Sequence, residues 1–404
     1  MRILYLTQWF DPEPAFKDAG FARALADAGH DVEVATGFPN YPGGKLYPGY
    51  RVRPYRTETI KGVKVHRLWL YPSHDASSLK RVVNYLSFFL SALIFGLLRG
   101  GRYDLVYIYH PPLTPALAAA LFCKVHRKPF IVEIQDLWPD SVGASGMANP
   151  KIVRVLERAC SFVYRRAARI IPQSDGMKAE LIRRGVPADR LATIFNWATY
   201  LPPAPGQELP ESIAAAFAGR LNLVYGGNIG QAQQLGVLVD AAVAAHRTNP
   251  AIRLHLVGGG IEREPLQQKV RNMRADDAVH FHNPVARDIM DRVFDATDIL
   301  VMHLKHDPLY LITIPSKTQH YLACGKPIVA GLPGEAADIL RQSGGAIVCA
   351  PGDTAAMAQG LERIAAMTAA ERCAMGARTR AFYDENFSMD RAVAKTVRLI
   401  EEQG

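Results

Sequence analysis

Short apolar runs alternate with stretches of helical periodicity along almost the whole of this 404-residue chain. A strand that returns to its sheet through a helix runs parallel to the strand before it, so the alternation predicts an α/β fold with parallel sheets covered on both faces. In the first half the strands are expected at Arg2–Leu6, Asp31–Ala35, Val63–Trp69, Leu105–Tyr109, Phe130–Ile134, Ile170–Pro172 and Ala192–Phe195. In the second half they are expected at Leu223–Tyr225, Arg253–Val257, Val279–His282, Ile299–His303, Pro327–Ala330 and Ala346–Val348. The Leu201-Pro202-Pro203-Ala204-Pro205 stretch breaks the alternation. A chain of this length exceeds what one core usually organises, so we read two domains, 1–200 and 220–385, joined by a linker at 201–219. A terminal helix occupies 386–404.

Ligands of such sheets bind at the carboxyl ends of the strands, and the glycines of the second half cluster there. Gly226-Gly227-Asn228-Ile229-Gly230 follows one strand and Gly258-Gly259-Gly260 follows the next. Glycine lets a backbone come close to an anion, and a following helix offers unpaired amides and the positive end of its dipole. Tight strand-to-helix connection is the plainer use of the same residues. Ile314-Pro315-Ser316-Lys317-Thr318 reads as a helix start, placing the Ser316 hydroxyl, the Lys317 ammonium and the first-turn amides together. A lysine there is unfavourable unless an anion accompanies it. In the first half, His110-Pro111-Pro112 ends one strand and Glu133-Ile134-Gln135-Asp136-Leu137-Trp138-Pro139-Asp140 ends the next. A histidine and carboxylates at adjacent strand ends can hydrogen-bond sugar hydroxyls or stabilise a cationic transition state. Core pairing of Glu133, a satisfied loop His110 and simple packing of Trp138 are the structural alternatives.

Five scattered cysteines form neither a disulfide framework nor a metal-binding pattern, and the N-terminus enters a strand without a signal-peptide pattern. A reducing cytoplasm is the expected compartment. The net charge of +9 concentrates in two places. Lys80-Arg81 precedes the apolar run Val82–Leu98, which suits a buried or interfacial helix better than a membrane-crossing one. Lys151–Arg169 has the spacing of a basic amphipathic helix, fit for an anionic membrane surface or for an ordinary solvated face. No nucleic-acid-binding module accompanies the charge.

Six segments then carry a resemblance: Phe10–Pro14, Thr36–Lys45, Tyr109–Thr114, Gln135–Ser141, Gly227–Gly230 and Pro315–Gln319. As a set they resemble the family-four class of retaining glycosyltransferases, in the branch that makes O-antigens, capsules and colanic acid. Within it the chain looks most like L-fucosamine transferases. The resemblance implies the GT-B fold, two Rossmann-like domains with parallel sheets facing across a cleft. It implies an acceptor side in the N-terminal domain, a nucleotide-sugar site in the C-terminal one, and a last helix crossing back to the first domain. No metal or cofactor is implied. The co-substrate is a nucleotide sugar, expected to be a UDP-linked N-acetylated 6-deoxyhexosamine such as N-acetyl-L-fucosamine. The acceptor is a polyprenyl-diphosphate-linked glycan at the inner face of the cytoplasmic membrane.

Carried over residue by residue, the resemblance and the strand-end reading nominate His110, Asp136 and Lys317 as catalytic. They nominate Gly227, Asn228, Gly230, Gln233, Gly258, Gly260, Pro315, Ser316, Lys317, Thr318 and His320 for the donor. Phe16, Lys17, Asn40, Tyr41, Trp138 and Asp140 fall on the acceptor side. The chain departs from the family at five places: Ile312 and His320 stand where two glutamates are common, Asn228 and Gln233 where an arginine and a lysine usually hold the diphosphate, and Gly20 stands alone in the first loop where a glycine pair is common. Two competing readings remain at this stage, a UDP-sugar 2-epimerase of the same architecture and a non-catalytic nucleotide-sugar-binding subunit.

Overall fold

The computed structural model describes residues 1–73, 78–140, 150–204 and 206–404. Ser141 of the resemblance segments and Pro205 of the proline stretch lie outside the described residues. The chain forms two compact units, Met1–Phe195 with Asp390–Gly404, and Asn196–Met389. Each is a Rossmann-like α/β unit built on its own sheet.

The first unit holds β1 (Arg2–Leu6), β2 (Asp31–Gly37), β3 (Tyr55–Ile60), β4 (Val63–Leu68), β5 (Leu105–His110), β6 (Phe130–Ile134) and β7 (Arg169–Pro172). Their order is β3-β4-β2-β1-β5-β6-β7, with every pairing parallel except β3 against β4. Strand β3 escaped the sequence reading because it is an edge strand. Its residues alternate between exposed and half-buried, so no apolar run marks it. It returns into β4 through Lys61 and Gly62, both at positive φ, the geometry of a two-residue hairpin turn. The strand expected at Ala192–Phe195 does not form; only Leu191 makes an isolated bridge, to Ile170.

The helices of this unit are α1 (Ala19–Asp27), α2 (Ser78–Arg99), α3 (Leu113–His126), α4 (Pro150–Arg166), α5 (Asp175–Arg183) and, from the end of the chain, α15 (Met389–Glu401). Among the described residues, α2 is the helix long and apolar enough to cross a membrane by length and composition. One of its faces is nevertheless integral to the fold. Phe88 and Ala92 are buried, and Gly96 lets Phe122 of α3 approach so closely that a Cβ would overlap the ring. Asn84 on the same face accepts a hydrogen bond from Gln8 Nε2 at 2.6 Å and donates to the Tyr71 carbonyl at 2.7 Å. Helix α3 lies between α2 and α4.

The second unit has six parallel strands, β8 (Leu221–Gly226), β9 (Ile252–Val257), β10 (Val279–His282), β11 (Ile299–His303), β12 (Ile328–Gly331) and β13 (Ala346–Cys349). Their order is β10-β9-β8-β11-β12-β13, so the winding reverses between β8 and β11. The crevice beside that reversal is where such sheets bind ligands. The helices are α6 (Glu211–Phe217), α7 (Gly236–Thr248), α8 (Arg263–Asn272), α9 (Arg287–Ala296), α10 (Pro308–Ile312), α11 (Ser316–Cys324), α12 (Gly334–Gln342), α13 (Thr354–Ala365) and α14 (Ala369–Asn386). Helix α6 falls inside the stretch read as linker and buries Ile213 and Phe217.

The core of the first unit encloses a charge pair. Lys17, from the loop after β1, places Nζ 2.6 Å from Glu133 Oε2, and both side chains are 1% exposed. Tyr107 donates its hydroxyl to the same Glu133 oxygen, and Gln135 Nε2 donates to the other at 2.7 Å. Breaking such a pair leaves an uncompensated buried charge. Replacing Lys17 with Met (Lys17→Met) should therefore destabilise the first unit by about 3–5 kcal/mol in urea unfolding, and Lys17→Met/Glu133→Gln should recover part of the loss. Equal stability of wild type and the single variant would refute the assignment.

Candidate functional site

The two glycine turns of the second unit first serve each other. Gly258 and Gly260 sit at φ +151° and +146°, and a Cβ on either would overlap backbone of the β8 turn, at Gly227 and Ile229 respectively. Ile229 N–H donates to the Gly259 carbonyl at 2.8 Å, and Glu262 N–H to the Ile229 carbonyl at 3.0 Å. Loop-on-loop packing thus accounts for Gly258 and Gly260. This corrects the expectation that their missing side chains chiefly make room for a ligand.

What faces outward is the β8 turn itself. Gly227 is half-buried and Asn228 exposed. Gly230 N–H donates to Gln233 Oε1 at 3.1 Å, Asn228 Nδ2 reaches the same oxygen at 3.4 Å, and the Tyr225 hydroxyl donates to the Asn228 carbonyl at 2.6 Å. Gln233 lies in a 3-10 turn, Gln231–Gln233, whose carbonyl accepts from His303 Nδ1 at 2.9 Å. His303 Nε2 accepts from Gly352 N–H at 3.0 Å, which fixes a neutral ring and ties the loops after β8, β11 and β13 together. Sequence reading passed over His303 because it looks like one more strand residue.

Helix α11 delivers Lys317 to this turn. A Cβ on Gly227, which has φ +126°, would lie 2.8 Å from Lys317 Nζ, so the ammonium rests where only glycine leaves space. The same nitrogen stands 4.9 Å from the centre of the Tyr225 ring. Burial pushes the Lys317 pKa down to about 8, with no carboxylate offsetting it. Pro315 caps the helix without a side-chain hydrogen bond, leaving Ser316 exposed at its first position. Thr318 Oγ1 and both amide atoms of Gln319 are buried with no hydrogen-bond partner among the described residues. Gln319 belongs to a noted segment, but its role as a buried, unsatisfied amide was not legible there.

His320 has another task. Its Nε2 bonds Asp291 Oδ1 on α9 at 3.0 Å, and its ring packs edge-on to Tyr200 and Phe294. Asp291 Oδ2 also accepts from Leu201 N–H at 3.2 Å, so His320 secures the entry segment of this unit to α9.

In the first unit the nominated residues converge only in part: His110 meets Trp138, and Tyr41 lies near enough to Asp136 for that carboxylate to raise its pKa. Lys17 is consumed by Glu133, a correction to its acceptor-side placement. Asn40 is also buried, donating Nδ2 to the Phe38 carbonyl at 2.9 Å. Its backbone N–H and that of Tyr41 both donate to Glu13 Oε1 at 2.7 Å, while Phe10 N–H donates to Glu13 Oε2 at 3.0 Å. Burial pushes the Glu13 carboxyl up to about 7 against the pull of those three amides. Phe16 and Tyr41 remain half-buried, and Tyr41 stacks on Trp9 with ring centres 4.4 Å apart. Trp9 carried no signal in the sequence beyond being an aromatic residue near a strand end.

His110 is 1% exposed, and neither ring nitrogen has a partner among the described residues. Burial lowers its pKa to about 3, so the ring is neutral at physiological pH. Trp138 covers it edge-on at 5.5 Å, which corrects the expectation of an open histidine at the strand end. Asp136 is exposed beside it, although the surrounding protein still raises its carboxyl pKa. Asp140 is drawn away by Arg184, at 2.7 Å.

Comparisons with known proteins agree with this architecture. A glycosyl transferase 4-like domain model matches residues 19–197, and a glycosyl transferases group 1 model matches 220–367. The putative colanic acid biosynthesis glycosyl transferase WcaI of Escherichia coli is 28% identical over 267 residues, covering 62% of this chain and 64% of that protein. The probable glycosyltransferase WbjE of Pseudomonas aeruginosa is 22% identical over 270 residues, covering 64% of each. The chain thus matches just under two thirds of the length of both relatives. HepE of Anabaena, solved with UDP and glucose, superposes over 100% of both chains with a TM-score of 0.70 at 16% identity, a likeness of fold.

The geometry around Lys317 makes its protonation measurable. In the free protein its amine should titrate near pH 8, below the ordinary lysine value of about 10.4, and added pyrophosphate should shift that titration upward by favouring the charged form. Dimethyl-lysine NMR, assigned with Lys317→Arg, reads this directly. A Lys317 resonance that titrates with the surface lysines, with or without anion, would refute the buried placement.

Proposed function

Because this chain belongs to the GT-B glycosyltransferases, with a 4-like domain followed by a group 1 domain, we propose that it transfers a sugar from a nucleotide-sugar donor during polysaccharide synthesis. The observation that carries the donor site is Lys317, an amine without a carboxylate partner among the described residues, laid against Gly227 at the strand reversal of the second sheet. An anion there restores the charge that burial disfavours. The Ser316 and Lys317 amides at the uncapped start of α11 add donors for a diphosphate, and Asn228 and Gln233 frame it where the family more often uses charge. Helix dipole, amides and one ammonium then stabilise the leaving diphosphate without a metal.

UDP fits the same reading, since HepE was solved with it and the resemblance favours a UDP-linked N-acetylated 6-deoxyhexosamine such as N-acetyl-L-fucosamine. The neutral His110 ring can donate a hydrogen bond to a sugar hydroxyl or stabilise positive charge developing at the anomeric carbon, once Trp138 yields the space. A proton-donating imidazolium role does not suit a ring neutral down to about pH 3. Asp136, exposed at the next strand end, is placed to accept from a sugar hydroxyl.

The acceptor proposed is a polyprenyl-diphosphate-linked glycan, as in O-antigen or capsule assembly, met at the inner face of the cytoplasmic membrane. Support comes from the outward faces of α2 and α4. Leu79, Val82, Leu86, Leu90, Ile94 and Leu98 form an exposed apolar stripe at helical spacing along α2. On α4, exposed Ile152 and Val155 stand among exposed Arg154 and Arg158. Apolar insertion together with basic residues, each contributing about 1 kcal/mol near an anionic surface, suits peripheral attachment.

Calorimetry with UDP and steady-state kinetics test the site. Lys317→Ala should weaken UDP binding by about 1.5–3 kcal/mol, and His110→Ala should lower turnover while leaving UDP affinity nearly intact. Unchanged UDP affinity in the first variant would refute the donor site. For the membrane reading, high salt or carbonate should release the protein from membranes, and Leu86→Glu/Leu90→Glu should move it to the soluble fraction at low salt. Full membrane retention of that variant would refute the α2 face as the attachment surface.

A further inference from the structure

Helix α4 presents a second face, distinct from the one carrying Ile152 and Val155. Glu157, Cys160, Ser161, Tyr164 and Arg165 recur at three- and four-residue spacing and line one wall of a cavity of ≈ 830 Å³. The opposite wall is Arg183, Arg184 and the loop to Arg190, and Trp138 with Asp140 closes one end. All of these residues belong to the first unit.

Four arginines in one cavity, against the two lining carboxylates Asp140 and Glu157, leave a formal charge of +2. Arg183 and Arg184 share Glu180, at 2.6 and 2.7 Å, and Arg184 also holds Asp140. Glu180 brings the local balance to +1. Arg165 and Arg190 are the uncommitted pair: neither has a carboxylate within ion-pair distance among the described residues, and one Arg190 nitrogen is fixed by the Arg165 carbonyl at 3.2 Å. Beside them Tyr164 is 7% exposed, and its hydroxyl meets no oxygen or nitrogen acceptor among the described residues, only the Cys160 sulfur one turn before it, a weak acceptor. A buried hydroxyl that meets only a sulfur is under-satisfied, so one lining a basic cavity points to a stronger acceptor that arrives with a ligand.

We propose that this cavity binds the diphosphate of the lipid-carried acceptor, with Arg165 and Arg190 gripping phosphate oxygens and Tyr164 donating its hydroxyl to another. Guanidinium groups pair with phosphate oxygens through two parallel N–H bonds, and a cavity of this size also holds the sugar attached to the diphosphate. The assignment rests on the lipid-linked acceptor proposed above and gives that acceptor a binding site. It also places the two faces of α4 in a single role, one against lipid and the other around the headgroup of a lipid-borne substrate.

Farnesyl diphosphate, a soluble probe, tests this on the full chain by calorimetry with UDP present to fill the donor site. Arg165→Gln/Arg190→Gln should weaken its binding at least tenfold, Tyr164→Phe at least threefold, and Lys317→Ala should leave it within twofold of wild type. Farnesol should not bind. Should the double variant fail to fold, the Tyr164→Phe measurement decides alone. Unchanged affinity in whichever of these variants folds overturns the proposal. So does the double variant losing only phosphatidylglycerol-vesicle binding while keeping farnesyl diphosphate, since the cavity would then serve phospholipid headgroups. Because binding is read without turnover, failure of the donor reading leaves this result interpretable.

Discussion

The contact between two loop backbones, Gly258 against Gly227, governs the second unit more than any side-chain interaction. A Cβ at 258 would occupy the space of the Gly227 peptide, so the turn after β9 can close on the turn after β8 only as glycine. Gly227 itself stands at φ +126°, and the end of the Lys317 side chain lies in the space that its missing Cβ leaves. His303 secures the other side by bonding the Gln233 carbonyl and the Gly352 amide with one neutral ring. The result is a cross-linked set of loops at the strand reversal, where Lys317 is presented from a helix start with no carboxylate partner among the described residues. Rigid placement of few donors is what electrostatic stabilisation of a leaving group requires.

The first unit solves a different problem. Its loops after β1 and β2 carry residues expected to meet substrate, yet their polar groups are largely spent on holding the loops in place. Glu13 gathers three backbone amides from two loops, and Lys17 reaches down to Glu133. Burying these charges is costly, but each is hydrogen-bonded, and such networks fix loop positions that apolar contact would leave variable. His110 is the exception in that neighbourhood, a buried ring whose nitrogens have no partner among the described residues.

Helices α2 and α4 are each divided lengthwise. The inner face of α2 is locked by Asn84 and Gly96, whereas its outer face is a row of exposed leucines, valines and isoleucine. Helix α4 sets Ile152 and Val155 on one side and Tyr164 with Arg165 on another. Neither helix is accounted for by the core alone, and both lie on the same layer with α3 between them.

Much of this architecture was legible in the chain because hydrophobic periodicity is local. Nearly every strand of the two parallel sheets, the glycine turns and the α11 start at Pro315–Ser316 can be read from neighbouring residues. Strand β3 was not, because an edge strand need not be apolar. Burial and partnership belong to tertiary structure: nothing beside Lys17 in sequence announces Glu133, 116 positions on, nor does Asn40 announce Asn84. Lys317 was read from a helix-start pattern and Lys17 was carried over from the resemblance, and neither reading shows what partner the lysine meets. Only the fold decided that Lys17 meets a carboxylate in the core while Lys317 lies on a glycine with no carboxylate partner among the described residues, because that depends on which distant residue the closed chain brings within a few ångströms.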